Sequence, residues 1–153
     1  MTLSAGDRAP EFNLPDQDGT PRSLSGLLQN GPVVLFFYPA AMTTGCTRES
    51  CHFRDMAAEF AAAGGQRVGI SMDEVEKQKQ FADKHTFDYP LLSDRDGKIA
   101  EAYGVRRGLL GKFIPVKRTT FVINTDGTIR TVITSETNMN KHADEALSAL
   151  SAS

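Results

Sequence analysis

Hydrophobic and polar positions along the chain follow two different periods, and their alternation predicts the order of strands and helices. Residues 33–38 are apolar at every position and stop at Pro39, which is typical of a central strand covered on both faces. From residue 43 to residue 63, apolar side chains recur at helical spacing, and Gly64-Gly65 would end that helix. This strand and this helix predict the centre of an α/β domain.

Later segments continue the alternation. A second strand, a helix with Asp73 as its N-cap, a short helix, a hairpin and a last helix are expected at residues 66–71, 73–85, 98–103, 119–134 and 143–150. Near the start of the chain, Asp18-Gly19 predicts the turn of a short hairpin. The order predicts a thioredoxin-like fold of the α/β class, with a central mixed β-sheet flanked by helices and an N-terminal β-hairpin extension.

Length, composition and charge narrow the class of protein. The chain has 153 residues, 40% hydrophobic and 24% charged, and no repeat or linker divides it, so residues 1–153 are expected to form a single domain. A formal net charge of −2 leaves no basic surplus for a phosphate backbone, so nucleic acid is not an expected partner. The longest apolar run, residues 33–38, is far shorter than the ~20 residues that span a bilayer, and the first residues lack the features of a signal peptide. No membrane association and a cytoplasmic location are expected.

The candidate chemistry lies where the predicted strand at residues 33–38 meets the following helix. Active sites of open α/β sheets lie outside the carboxyl ends of strands, and Cys46 falls in the first turn of that helix. The dipole and the unpaired N–H groups of a helix N-terminus favour a thiolate over a thiol. Arg118, at the start of a later predicted strand, is the candidate cation beside it, because adjacent central strands bring their ends together. Cys46 is therefore expected to be reactive.

The second cysteine, Cys51, lies five positions after Cys46. In a reducing compartment such a close pair is more often catalytic or metal-binding than structural. On a helix this spacing separates two residues by about 7.5 Å along the axis and by about 140° around it. A disulfide needs Cα atoms within about 7 Å of each other, so the pair cannot bridge unless part of the helix unwinds.

Several of these residues resemble the signature of the peroxiredoxin family. Pro39, Thr43 and Cys46 match its Pro-x-x-x-Thr-x-x-Cys motif. Arg118 matches the arginine of the family, and Glu49 lies three residues after the cysteine, as a Glu commonly does there. The run Thr-x-Gly-Cys-Thr-x-Glu-x-Cys is similar to the branch called bacterioferritin comigratory protein or peroxiredoxin Q. The resemblance covers nearly the whole chain.

The resemblance implies a thiol-dependent peroxidase that reduces hydrogen peroxide and organic hydroperoxides. Cys46 would attack the peroxide O–O bond as a thiolate and become a sulfenic acid. The Thr43 hydroxyl and the Arg118 guanidinium would then bind the thiolate and the peroxide oxygens. Pro39 would shield the site, and Glu49 would orient an arginine.

The resemblance also implies how the cycle is completed. Cys51, at the position of the resolving cysteine in this branch, would attack the sulfenic acid and form an intramolecular disulfide, which thioredoxin or a similar dithiol would reduce. Peroxide substrates and a dithiol reductant are therefore the expected partners. The protein is expected to be a monomer or a weak homodimer, and no cofactor or metal is expected.

Three alternatives stay open from the residues alone. A one-cysteine peroxidase would use Cys46 with an external thiol and leave Cys51 as an ordinary half-buried cysteine. A non-enzymatic thioredoxin-like copper-binding module would use the cysteines with His52, although Cys-x4-Cys on a helix splays the two sulfurs apart. A thiol-disulfide oxidoreductase would carry Cys-x-x-Cys, whereas the two cysteines of this chain are spaced Cys-x4-Cys.

Two other features have simpler interpretations. His85 and His142 lie on predicted polar helices and are expected to be exposed to solvent. Residues 108–115, Gly-Leu-Leu-Gly-Lys-Phe-Ile-Pro, form either an ordinary packed loop or an apolar flap beside the site that favours organic hydroperoxides. The sequence does not decide between these two interpretations.

Overall fold

The computed structural model describes residues 2–107 and 115–151. The strands and helices of these two ranges are, in chain order, β1 (Asn13–Pro15), β2 (Pro21–Ser23), α1 (Leu24–Leu28), β3 (Val33–Phe37), α2 (Thr44–Asp55), α3 (Ala57–Ala63), β4 (Gln66–Ser71), α4 (Val75–His85), β5 (Leu91–Ser93), α5 (Lys98–Ala102), β6 (Thr119–Ile123), β7 (Ile129–Thr134) and α6 (Met139–Ser151). No helix of these two ranges is both long enough and apolar enough to cross a bilayer.

Five strands form one mixed sheet in the order β5-β4-β3-β6-β7. β3 lies at its centre, parallel to β4 and antiparallel to β6, and its Phe37 is the register partner of both Ile70 and Thr119. β4 and β5 are parallel, β6 and β7 are antiparallel, and β1 and β2 form a separate antiparallel hairpin. The predicted fold class is confirmed, and the predicted elements occur in the predicted order, but α1 and the edge strand β5 were not predicted.

β3 separates two hydrophobic clusters, because successive side chains of a strand point to opposite faces of the sheet. Val33, Leu35 and Phe37 pack with side chains of α1 and α5, and Val34 and Phe36 pack with side chains of α2, α3, α4 and α6. All residues of β3 are buried. The expectation of a central strand covered on both faces is therefore confirmed.

The helix predicted over residues 43–63 is divided at Met56 into α2 and α3. Arg67 Nη1 donates to the carbonyl oxygen of Phe53 at 3.0 Å. In an unbroken helix that carbonyl would accept from the N–H of Ala57, so the arginine takes the place of a helical partner at the break. Gly64 ends α3 with a φ of 77°, as the sequence predicted.

The start of α4 also differs from the prediction. Its N-cap is Glu74 rather than Asp73, and the Glu74 side chain makes no capping hydrogen bond. The Asp73 carboxylate instead accepts from the backbone N–H of Ala41, in the loop that follows β3. A side chain expected to stabilise a helix terminus therefore stabilises the approach to α2.

Candidate active site

The carboxyl end of β3 leads through a short loop into the N-terminus of α2, and Cys46 lies at this junction. Because α2 begins at Thr44, Cys46 belongs to the first helical turn. Backbone N–H groups of a first turn have no partner inside the helix, and together with the helix dipole they stabilise negative charge. The Cys46 side chain is fully buried, and its sulfur is not part of a disulfide.

Arg118 contacts the sulfur of Cys46. Its Nη2 lies 3.4 Å from the Cys46 Sγ, and its Nη1 donates to Glu49 Oε1 at 2.8 Å. Arg118 directly precedes β6, the antiparallel neighbour of β3, so the sheet register carries it to the end of β3 from which the loop departs. A guanidinium at this distance stabilises a thiolate. The structure thus brings Cys46, Arg118 and Glu49 together.

Two carboxylates hold Arg118 in place. Glu49, which is fully buried, accepts from the guanidinium, and Glu136, in the segment after β7, accepts from the backbone N–H of Arg118 at 2.8 Å. Glu136 also accepts from Arg107 Nη2 at 3.1 Å. Burial raises the pKa of the Glu49 carboxyl to about 8, although the charge and the hydrogen bond of Arg118 act in the opposite direction.

Gly45 leaves the space that the Arg118 guanidinium occupies. A Cβ atom at this position would lie 3.2 Å from Arg118 Nη2 and 3.5 Å from Met139 Sδ. A glycine inside a helix costs about 1 kcal/mol relative to alanine, so its place in α2 has a packing reason: it lets the arginine approach the helix beside the cysteine.

The loop before α2 is supported by a chain of hydrogen-bonded polar side chains, most of them buried. Asp73 Oδ2 accepts from the Ala41 N–H at 2.6 Å and from the Ser71 hydroxyl at 2.7 Å. Ser71 Oγ accepts from Gln78 Nε2 at 2.9 Å, and Gln78 Oε1 accepts from the Tyr38 hydroxyl at 2.5 Å. Such a network, with its members bonded to one another, rigidifies its surroundings. It therefore fixes the backbone that leads to the cysteine.

Thr43 and Pro39 lie in the same loop. Unlike Arg118, neither of them donates a hydrogen bond to the Cys46 sulfur. Thr43 is the N-cap residue of α2, is exposed, and donates its hydroxyl to the Ala40 carbonyl at 2.7 Å. Pro39 is half-buried at the start of the loop. The Thr43 hydroxyl is thus next to the first turn of α2 but bonded within the loop.

Cys51 lies further along α2 in a different environment. Its side chain is half-buried at the edge of the cluster formed by α2, α3, α4 and α6, and it is also free. Burial raises the pKa of the Cys51 thiol, Arg54 lowers it and Asp55 raises it. The adjacent His52 places Nε2 at 2.8 Å from Asp144 Oδ1 of α6. The structure therefore gives the two cysteines different partners on one helix.

The expectation that His142 is exposed to solvent is wrong. Its side chain is fully buried, with Nδ1 at 2.8 Å from Thr120 Oγ1 and Nε2 at 2.9 Å from the Ser135 carbonyl. Burial lowers the pKa of the His142 imidazole. His142 precedes the buried Ala146 by four residues, which is the spacing of one helix face, so the helical period could have predicted its burial.

His85 is only partly exposed. Its ring lies against Phe81 and Phe87, with a centroid separation of 5.5 Å in each case. Neither interpretation of residues 108–115 is tested, because residues 108–114 lie outside the described residues. Across residues 2–107 and 115–151, no group of three or more His, Cys, Asp or Glu side chains is arranged to hold a metal ion.

Residues 5–132 match the AhpC/TSA family, and the chain therefore belongs to this family. It is 62% identical to peroxidoxin BcpB from Mycobacterium tuberculosis, whose crystal structure superposes with a TM-score of 0.94 over 98% of this chain and 97% of that one. It is 41% identical over 143 residues to peroxiredoxin Bcp of Escherichia coli strain K12, covering 92% of this chain and 91% of that protein. It is 40% identical over 148 residues to chloroplastic peroxiredoxin Q of Sedum lineare, covering 97% and 78%, respectively.

These relationships confirm the resemblance to the peroxiredoxin Q and Bcp branch. The chain is a peroxiredoxin, a thiol-dependent peroxidase that acts on peroxide substrates and draws its electrons from a thiol reductant. The thioredoxin-like fold is confirmed by the superposition on peroxidoxin BcpB and by a second structural neighbour, peroxiredoxin Q of Xanthomonas campestris, which is 31% identical and superposes with a TM-score of 0.83 over 92% of this chain and 90% of that one.

Proposed function

We propose that the protein reduces hydrogen peroxide and organic hydroperoxides in a two-cysteine cycle, with Cys46 as the peroxidatic and Cys51 as the resolving residue. The observation that carries this proposal is the 3.4 Å contact between Arg118 Nη2 and Cys46 Sγ at the N-terminus of α2. A helix terminus and a guanidinium that meet at one sulfur are the conditions under which a thiolate forms and reacts.

In the first step, the Cys46 thiolate attacks one oxygen of the peroxide. The S–O bond forms as the O–O bond breaks, the leaving oxygen departs with the electron pair and takes up a proton, and the cysteine becomes a sulfenic acid. Arg118 stabilises the thiolate and the charge that develops on the leaving oxygen. Glu49 holds Arg118 in the orientation that this requires.

Thr43 and Pro39 shape the approach of the peroxide. The Thr43 hydroxyl has its own donor and acceptor capacity, so a rotation from the Ala40 carbonyl would let it bind the thiolate and a peroxide oxygen. Pro39 has no backbone N–H, so it shields the site without adding a competing donor.

In the second step, Cys51 attacks the sulfur of the sulfenic acid, an S–S bond forms, and water leaves. The two residues are both helical, which places them about 140° apart around the axis of α2, so the first turns of the helix must unwind. Burial raises the pKa of the Cys51 thiol, and unwinding removes that obstacle by exposing the sulfur to water. Thioredoxin or a similar dithiol then reduces the disulfide.

The proposed setting is the cytoplasm, where both cysteines are kept reduced between cycles. We also propose that the protein works as a monomer or a weak homodimer. Among residues 2–107 and 115–151, Met42 is the one large hydrophobic side chain that is exposed, at 40% of its surface. Obligate dimers need large hydrophobic interfaces, and the part of the surface that the structure describes does not offer one.

The proposal is tested by mass spectrometry of the reduced protein after one equivalent of hydrogen peroxide. The wild type should form an intramolecular disulfide between Cys46 and Cys51, Cys51→Ser should stop at the sulfenic acid of Cys46, and Cys46→Ser should consume no peroxide. A thioredoxin-coupled assay with hydrogen peroxide and an alkyl hydroperoxide then measures turnover. Full turnover of Cys51→Ser with an external monothiol would establish the one-cysteine cycle instead, and peroxide consumption by Cys46→Ser would overturn the mechanism.

A further inference from the structure

A buried carboxylate oxygen beside the candidate active site lacks a hydrogen bond. Glu49 Oε1 accepts from Arg118, whereas Glu49 Oε2 has no hydrogen-bond partner among the described residues. The imidazole of His142 lies close to this oxygen, with its Nδ1 3.5 Å away. Both side chains are fully buried. A buried carboxylate oxygen without a hydrogen bond destabilises the folded protein. Its closeness to His142 therefore needs an explanation.

The other contacts of His142 fix the orientation of its ring. The Ser135 carbonyl can only accept, so His142 Nε2, at 2.9 Å from it, carries a hydrogen. In the neutral ring, Nδ1 is then the acceptor nitrogen, and it lies 2.8 Å from Thr120 Oγ1, whose hydroxyl can donate to Nδ1 or, after rotation, accept from it. The nitrogen that faces Glu49 is therefore the one that can gain a proton.

We propose that His142 is a positioning residue of the peroxidase site: it shares one proton with Glu49 and thereby controls how Glu49 holds Arg118 against Cys46. The inference rests on the proposed function of Cys46. The proton lies either on Glu49 Oε2, which then donates to Nδ1 with the Thr120 hydroxyl rotated away, or on Nδ1, whose N–H is then shared between the carboxylate and the Thr120 oxygen. In both states Oε2 has a partner, and Oε1 stays directed at the guanidinium.

Because charged groups surround Glu49 and His142, the position of the shared proton changes how strongly Glu49 binds Arg118. Four charged or titratable residues surround the His142 imidazole: Glu49 of α2, Arg118 of the segment before β6, Glu136 of the segment after β7, and Lys141, its neighbour on α6. Arg118 keeps its charge at any ordinary pH. When the proton moves from Glu49 to His142, the carboxylate becomes charged and binds the guanidinium more strongly.

Burial supports a single shared proton. It raises the pKa of the Glu49 carboxyl and lowers the pKa of the His142 imidazole, so each group alone favours its neutral form, and the neutral pair holds one exchangeable proton. The pH dependence of Cys46 reactivity should therefore contain a step that belongs to this pair as a unit, in addition to the ionisation of the thiol itself.

The experiment is a double-mutant cycle on the rate of sulfenic acid formation, followed by quenched-flow mass spectrometry in the Cys51→Ser background, which needs no reductant. His142→Gln keeps a donor for the Ser135 carbonyl and removes the proton acceptor; Glu49→Gln keeps a donor and acceptor pair and removes the charge. Each variant should slow the reaction about tenfold. If His142 acts through Glu49, the double variant should be no slower than Glu49→Gln alone, and His142→Gln should lose the added step in the pH profile.

His85→Gln is the matched control, since His85 lies on α4 and should leave both the rate and the profile unchanged. The inference would be overturned if the double variant were slower than Glu49→Gln by the full factor that His142→Gln produces alone, or if the pH profile of His142→Gln were unchanged. Either result would leave the proposed function intact. A wild type that forms no sulfenic acid would instead overturn the proposed function.

A second measurement does not depend on the stability of the His142 variant. In the wild type, ¹⁵N NMR of the histidine rings should show His142 with its hydrogen on Nε2, and Glu49→Gln should change the titration of His142 without changing those of His52 and His85. Identical His142 titrations in the wild type and Glu49→Gln would show that the two groups share no proton.

Discussion

The two sides of α2 are built differently, although the same twelve-residue helix carries both cysteines. The inner side consists of side chains that are fully buried, namely Cys46, Glu49, Ser50 and Phe53. The ring of Phe53 stacks on Phe36 of the central strand at a centroid distance of 4.2 Å. The outer side carries the half-buried Cys51 and side chains that reach solvent, namely His52, Arg54 and Asp55.

The interactions on the two sides also differ in strength. Arg118 binds Glu49 where both side chains are almost fully shielded from water, and removing one partner of such a pair leaves an uncompensated buried charge. On the outer side, His52 pairs with Asp144, whose side chain is 57% exposed, and Arg54 pairs with Asp55, which is 63% exposed. Exposed pairs contribute about 0.2–1 kcal/mol. The comparison teaches that Cys46 lies on the fixed side of α2, where the contacts are costly to break. The contacts on the side of Cys51 can be broken at low cost, so that side of the helix can open.

Arg118→Ala tests the fixed side and should have the largest effect. Loss of the guanidinium removes the donor at 3.4 Å from the sulfur, so we expect peroxide reactivity to fall about 100-fold or more. The pH profile of Cys46 alkylation should also move to higher pH. Arg118→Lys keeps the charge but loses the planar guanidinium fork. Its peroxide reactivity should lie between that of the wild type and that of Arg118→Ala. An alkylation profile of Arg118→Ala that coincides with the wild type would contradict the role of Arg118.

The sequence predicted the fold and the main contact of the site because both depend on local signals. A fully apolar strand, helical spacing and turn residues set the order of elements, and the antiparallel pairing of β3 with β6 carries Arg118 to Cys46. The strongest local exception is Asp73, which has the residue type of an N-cap but bonds to Ala41 in a distant loop.

The parts of the site that were not predicted depend on tertiary contacts. Glu136 binds the backbone N–H of Arg118 across 18 positions of the chain, and no local pattern marks it. Gly45 is explained by the approach of Arg118 rather than by its own conformation. The burial of His142 was not predicted, because a polar residue on a helix suggests exposure to solvent. Its spacing from Ala146 nevertheless places it on the buried face of α6.

Oxidation tests the side that opens. Amide hydrogen exchange through residues 46–54 should be faster in the disulfide form than in the reduced form, because the bridge requires the loss of i→i−4 hydrogen bonds in the first turns of α2. Far-UV circular dichroism should show less helix. Cys51→Ser should show neither change after peroxide, and its Cys46 sulfenic acid should be prone to over-oxidation. Equal protection through Phe53 in both forms would show that no unwinding accompanies the bridge.

The pH dependence of stability tests the inner side again. The pKa of the Glu49 carboxyl is raised from 4.5 to about 8 in the folded protein. Between these values the folded state holds a proton that the unfolded chain has lost, so this contribution is fully present below the lower value and is lost as the pH rises through the window. Urea melts should show that the wild type loses stability relative to Glu49→Gln between the two ends of the window, by up to about 5 kcal/mol for a shift of this size. Parallel curves for the two proteins would place the carboxyl in its charged form throughout.

Asp144→Asn tests the outer side and should have the smallest effect. The substitution removes the charge that His52 Nε2 meets at 2.8 Å and so weakens the link between α2 and α6 next to Cys51. Since an exposed pair contributes about 0.2–1 kcal/mol, disulfide formation after peroxide should become about 1.5- to 5-fold faster, because the helix opens more easily. Asp83→Asn is the matched control: it removes an exposed pair with Lys79 on α4, away from α2, and should leave the rate unchanged. Equal rates of disulfide formation in the two variants would mean that this pair does not restrain the opening of the Cys51 side.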